Sequence, residues 1–278
     1  MLDRAMALLE GAGRLNDEYQ GGYTGGSLAA VECVDTDEGQ ALLNTYMSGA
    51  GQISAAMDFF AGMIHLCRPR IHRYAVFVTG RAALEASSRA WWLLADQQTK
   101  EVRIQRGFGE RCRGLQERLR MEQALGQTGM SAKRRMAELR RSARSLGLQG
   151  RLRLPPDITR LMADSFNAAG LSHEEGVFAM KQLSAYVHGV SWALYAQTVD
   201  TQDEIEDSSD QRLTLRTPTI NYGELAYTID SVANVFALAF TSQVGVFGWD
   251  ESRWLNEWAE ARRSLASATA HILESEIT

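Results

Sequence analysis

Proline is scarce in this chain: four residues in 278, two of them adjacent at Pro155-Pro156. Long stretches therefore lack the residue that most reliably interrupts a helix. Cysteine is scarcer still. Cys33, Cys67 and Cys112 are odd in number and widely spaced, which excludes a disulfide framework and a CxxC metal knuckle and points to reduced thiols. Lysine is nearly absent as well, with 26 arginines against Lys100, Lys133 and Lys181. The start, Met1-Leu2-Asp3-Arg4, has no basic region leading into an apolar run, so no signal peptide is expected and the chain is placed in the cytoplasm. Between Ser231 and Trp249 there is no charge, but Asn234, Thr241, Ser242 and Gln243 interrupt the run. It reads as a buried central helix, and no membrane role is expected.

What is present is ordinary globular material, 45% apolar and 23% charged, with enough length to bury a substantial core. The net charge of −5 conceals an asymmetry. From Lys100 to Arg153 there are 15 basic and 5 acidic residues, a net of +10, leaving −15 for the remainder. Such a split marks either a polyanion-binding surface or basic helices docked on acidic ones in the same molecule or a partner subunit. Part of the excess is spaced for pairing: Arg106, Glu110, Arg113, Glu117 and Arg120 step by four and three, a ladder along one helix face. Lys133-Arg134-Arg135 and Arg140-Arg141-Arg144 have only Glu138 among them. That stretch is the better candidate for gripping phosphate.

Periodicity and punctuation give an all-α fold, an irregular helical bundle of about eight helices in a single domain. Residues 1–38 are expected to be a poorly ordered lead-in with a short helix over 2–10, because Gly21-Gly22 and Gly25-Gly26 lie in it. The helical domain covers 39–278. Helices are expected from Asp37 to before Pro69, over 71–96, over 99–125, and over 131–146 with Ser131 as N-cap. After Pro155-Pro156 they run over 157–169 to Gly170, from a Ser172/Glu175 capping box to Thr198, over 222–247 and over 251–277. The alternating Arg212-Leu-Thr-Leu-Arg216 is the one place for a short hairpin.

Two constellations could carry chemistry. Arg81, Glu85 and Arg89 stand four apart, a carboxylate between two guanidinium groups, on a helix that continues into Trp91-Trp92. They form either a structural ion-pair network or a catalytic one. Lys181, Ser184, His188, Ser191 and Tyr195 share a face on a continuous helix, and histidine is the side chain best suited to move protons near neutral pH. HExxH, paired ExxH, Gly-x-Ser-x-Gly and dinucleotide-binding glycine patterns are absent. No metal and no cofactor is expected.

The Arg-x-x-x-Glu helix ending in Trp-Leu-Leu-x-Asp, with the later Leu-Ser-x-x-x-His-Gly, resembles bacterial HEPN-like helical bundles of the abortive-infection and toxin type over residues 75–195. The resemblance implies metal-independent RNA cleavage by an Arg-x(4–6)-His motif. His188 would transfer protons, and Lys181 would stand where the family has arginine. Lysine keeps the charge but not the planar two-pronged grip. The expected catalytic set is His188, Lys181, Arg81 and Glu85. The expected substrate contacts are Arg89, Ser184, Trp192, Tyr195, Arg134, Arg135, Arg140 and Arg141, the partner RNA or a nucleotide, and the assembly a homodimer. Two alternatives stay open. One is a small-molecule enzyme whose pocket is lined by Trp91 or Trp92, Tyr186, His188 and Trp192 with an arginine clamp. The other is a non-catalytic dimerising regulatory module.

Overall fold

In the computed structural model, residues 1–68, 71–95, 97–148, 152–195, 198–206, 212–218 and 220–277 are described, with the side chains of 195–206, 212–218, 273 and 275–277 excepted. The class is all-α. The helices among them are α1 (Leu2–Glu18), α2 (Leu28–Glu32), α3 (Asp37–Leu66), α4 (Arg73–Leu94), α5 (Lys100–Ala124), α6 (Met130–Ser145), α7 (Ile158–Ala168), α8 (His173–Val187), α9 (Ser191–Tyr195), α10 (Tyr222–Phe247) and α11 (Glu251–Ile277). The alternating run 212–216 lies in strand β2 (Arg212–Pro218), antiparallel to β1 (Thr198–Glu206), with Asp200 opposite Arg216 and Glu206 opposite Arg212.

Among the described residues there are eleven helices against the expected eight or so. Residues 1–38 are not a loose lead-in. Ala5, Leu8, Ala12 and Leu15 of α1 are buried in the core at a helical period. The glycine-rich loop after α1 is tied to the far end of the chain: Trp249 Nε1 donates to the Gly22 carbonyl at 2.6 Å, and Thr24 Oγ1 donates to Gly248 at 3.0 Å. Tyr19 stacks on Trp249 at 5.4 Å. Glycines that look like slack in the sequence are held by contacts more than 200 residues away.

The core is built around α10, whose apolar residues pack on most sides, against α4, α3 and α11. Phe60, Phe236, Phe240 and Trp254 form an aromatic chain there, with ring centroids 4.5–6.1 Å apart and all four fully buried. Among the described residues α10 is the one helix long and apolar enough to cross a membrane, and most of it is enclosed by the bundle. Helices α3 and α4 pack against one another along most of their length. They approach closely at Gly80, where a Cβ would meet Met63 Sδ at 2.9 Å.

Helices α7 and α8 form a second hairpin. Ser172 caps α8 with its hydroxyl on the Glu175 amide, and the Glu175 carboxylate takes the Ser172 N–H at 2.6 Å, completing the expected capping box. One turn on, a Cβ on Gly176 would sit 2.6 Å from Ala163 Cα and 3.1 Å from the Ala163 backbone nitrogen. Backbone cannot yield as a side chain can. Gly176→Ala is therefore expected to push α8 off α7 and to cost about 1–3 kcal/mol in a urea melt. A variant as stable as the parent would mean that the two helices part without strain.

Candidate nucleic-acid interface

The expected histidine stripe does not form. Helix α8 stops at Val187. His188 is its C-cap, Gly189 takes φ +62°, and the chain turns away before α9. Val190 N–H reaches the Ala185 carbonyl at 2.9 Å and Gly189 N–H that of Tyr186 at 3.2 Å, the paired bonds that close a helix on a left-handed glycine. The 3–4 spacing from Lys181 to Tyr195 is thus interrupted, and Ser191 and Tyr195 belong to a separate short helix. Tyr195 ends α9, and its side chain lies outside the described ones.

His188 and Lys181 are exposed, and neither makes an ion pair or side-chain hydrogen bond among the described residues. Ser184 turns its hydroxyl to Met180 Sδ at 3.7 Å, and Trp192 is 55% exposed. The inward residue of this helix end is Tyr186. It stacks on Phe77 at 4.4 Å and donates to the Glu224 carboxylate at 2.6 Å.

The Arg81-Glu85-Arg89 trio sits elsewhere. Arg89 lies twelve residues beyond Phe77 on α4, about 18 Å along the helix axis at 1.5 Å per residue. Its guanidinium binds Glu85 at 3.0 Å and Glu110 of α5 at 3.3 Å, with Arg89 85% shielded from solvent. Arg89 and Glu85 therefore join α4 to α5 and do not meet His188. Arg81 is half-buried, and its Nε has no partner. The aromatic pocket imagined around His188 does not assemble either. Trp92 is buried beneath Arg106, whose guanidinium lies 5.1 Å from the indole centroid.

The basic segment is where the sequence-selected residues gather. Helices α5 and α6 form a hairpin at the edge of the bundle, sealed by Ala132, Met136, Leu139 and Ala143 on the inner face of α6. This three–four seam leaves Lys133, Arg134, Arg135, Arg140, Arg141 and Arg144 exposed. The N-cap of α6 is Gly129, not Ser131, and it gives no side-chain bond. The Arg-Glu ladder expected on α5 closes at one rung alone, Arg120 to Glu117 at 2.8 Å. Arg106 instead donates to the Trp92 carbonyl and Arg113 to that of Pro156, so tertiary acceptors outcompete neighbours on the same helix. Burial, and Arg153 after it, pull the Arg106 pKa down to about 10, which leaves it charged at neutral pH.

Two grooves flank α6. One of about 490 Å³ is lined by Arg111 and Arg135, with Glu138 and Ser142 beside them. The other, about 560 Å³, carries Arg140 and Arg144 over an apolar floor of Leu148, Leu152 and Leu154. Partial desolvation and the neighbouring Arg135 both push the Arg111 pKa below its ordinary value. Arg111 and Arg135 thus repel one another across the groove, both of them exposed. Of the acids here, Glu138 reaches Arg134 only at 3.9 Å, with both side chains exposed. Among the described residues no three His, Cys, Asp or Glu side chains gather as a metal ion would require. No family model, no curated protein and no solved structure matches the chain.

Proposed function

We propose that the protein binds RNA through the α5–α6 hairpin, its arginines gripping successive phosphates. The observation that carries this reading is the convergence of Arg111 and Arg135 on one groove, with Arg140 and Arg144 on the other side of the same helix. Holding guanidinium groups together costs free energy in the unbound protein, and an anion between them removes that cost. Arginine suits the task because its planar fork meets two phosphate oxygens at once.

Binding driven by phosphate contacts releases counterions. The affinity for a single-stranded RNA oligomer, followed by fluorescence anisotropy, is expected to fall with a log–log salt slope of about −3, four phosphates at −0.7 each. A slope near zero would remove the reading. His188→Ala is expected to bind in the same titration as the wild type does, because His188 lies exposed at the end of α8, outside both grooves. A variant ten times weaker would move the interface to α8.

A further inference from the structure

Another cleft is on none of the surfaces described so far. It measures about 640 Å³ and opens where five helices meet: the start of α2, the end of α4, the end of α7, the last turns of α10 and the first residue of α11. This is within the ~300–1,000 Å³ of small-molecule sites, which favour such junctions. Its lining includes Trp91, half-buried, and Leu238 and Gly245 of α10. Its polar groups are Gln97, Gln98, Thr241, Ser242 and Glu251.

The chemistry of these groups is selective. Among the described residues no arginine, lysine or histidine lines the cleft and Glu251 is its one charged residue, so an anion finds no cation to pair with among them. Ser242 spends its hydroxyl hydrogen on the Leu238 carbonyl at 3.1 Å, which leaves its oxygen to accept from a ligand, whereas Thr241 donates to the Ala237 carbonyl at 2.7 Å and accepts the Trp254 indole N–H at 2.8 Å. The Trp91 indole N–H and the side-chain amides of Gln97 and Gln98 have no partner among the described residues. An indole and a carboxylate lining one cleft suit a flat ring bearing positive charge, by stacking, by the ring quadrupole and by charge.

We propose that this cleft is a binding site for a planar aromatic cation, seated against Trp91 with its charged nitrogen toward Glu251. Gly245 supplies a clean way to close it. A Cβ there meets no atom within 4 Å, so a long side chain grows into empty space without moving the helix. Methionine is also a better helix former than glycine, so the Gly245→Met protein is expected to melt no lower than the parent.

The probe is 9-aminoacridine, positively charged at neutral pH, compared with acridine-9-carboxylate, which has the same ring and the opposite charge. Both are titrated by calorimetry into the full chain without nucleic acid. The wild type is expected to bind the cation at one site, about tenfold tighter than the anion, the factor that corresponds to one well-placed charge interaction. Trp91→Ala and Gly245→Met should each weaken it tenfold or more, and Glu251→Gln should erase the preference for the cation. Gly245→Met is verified as folded by its melting temperature. Failure of the wild type to bind, equal affinity for the two acridines, or unchanged binding by the Gly245→Met protein would each overturn the proposal. The site is independent of the RNA reading, because none of its groups lies on α6.

Discussion

Arg103→Ala is expected to destabilise the protein by about 3–5 kcal/mol, the usual cost of stranding one member of a buried ion pair. Arg103 is 3% exposed, and its partner Glu32 is almost as deep. The guanidinium grips both carboxylate oxygens of Glu32, through Nη2 and through Nε at 3.2 Å, and also donates to the Gln98 carbonyl. Tyr46 donates its hydroxyl to the same carboxylate, and burial, with Glu32 after it, raises the phenol pKa far above its ordinary range. The phenol is therefore a fixed neutral donor, and Arg103 is the one full charge bonded to Glu32 among the described residues. Removing it leaves a buried anion with no cation bonded to it among the described residues and only the neutral Tyr46 hydroxyl to donate. The loss is a large share of the ~5–15 kcal/mol that a domain commands. The α2 helix should suffer first, since five residues have no helical stability of their own. Urea denaturation gives the total, and hydrogen exchange across residues 28–33 gives the local part. Arg103→Met combined with Glu32→Leu should recover most of the deficit, because apolar replacements of similar volume dispense with the pair altogether. An Arg103→Ala protein within 1 kcal/mol of the parent would mean that water reaches Glu32.

Helix boundaries set by local chemistry were legible in the sequence: the Ser172-Glu175 box, the ends at Gly126, Gly147 and Gly170, and the spans of α10 and α11. Two misreadings share a cause. The glycines of 21–26 read as slack and a helix reads straight through Gly189, yet what each does depends on contacts the sequence does not display. At Gly189 a left-handed residue ends a helix through which the polar spacing seemed to continue. At Gly22 a tryptophan from residue 249 fixes the loop. The Arg-Glu ladder erred in the opposite way, since spacing offered partners that distant carbonyls then displaced. Of the candidate site, the arginines of α6 were legible because a charge run with one carboxylate has few internal ways to be neutralised. The cleft at Trp91 was not, because its walls come from five segments separated by up to 223 residues, Leu28 to Glu251.

The largest functional effect is expected from neutralising α6 itself. A protein carrying Arg134→Gln, Arg135→Gln, Arg140→Gln and Arg141→Gln should bind single-stranded RNA at least about tenfold more weakly at ~0.1 M salt, with the salt slope reduced by at least about 1.4, the share of Arg135 and Arg140 in the grooves. Folding is not at risk. All four side chains are exposed, glutamine keeps helix propensity, and the seam of Ala132, Met136, Leu139 and Ala143 is untouched. The loss of a helix pair is confined to Arg134–Glu138, worth a few tenths of a kcal/mol. A control of equal arginine type lies on α5: Arg118 and Arg120 are already paired with Glu122 and Glu117 at 2.8 Å, so their glutamine variants should lose less than threefold. If the two sets weaken binding alike, the hairpin attracts RNA as a diffuse positive surface. If only the α6 set matters, the phosphates lie along its grooves. A quadruple variant that binds as the wild type does would exclude the hairpin, whatever its charge.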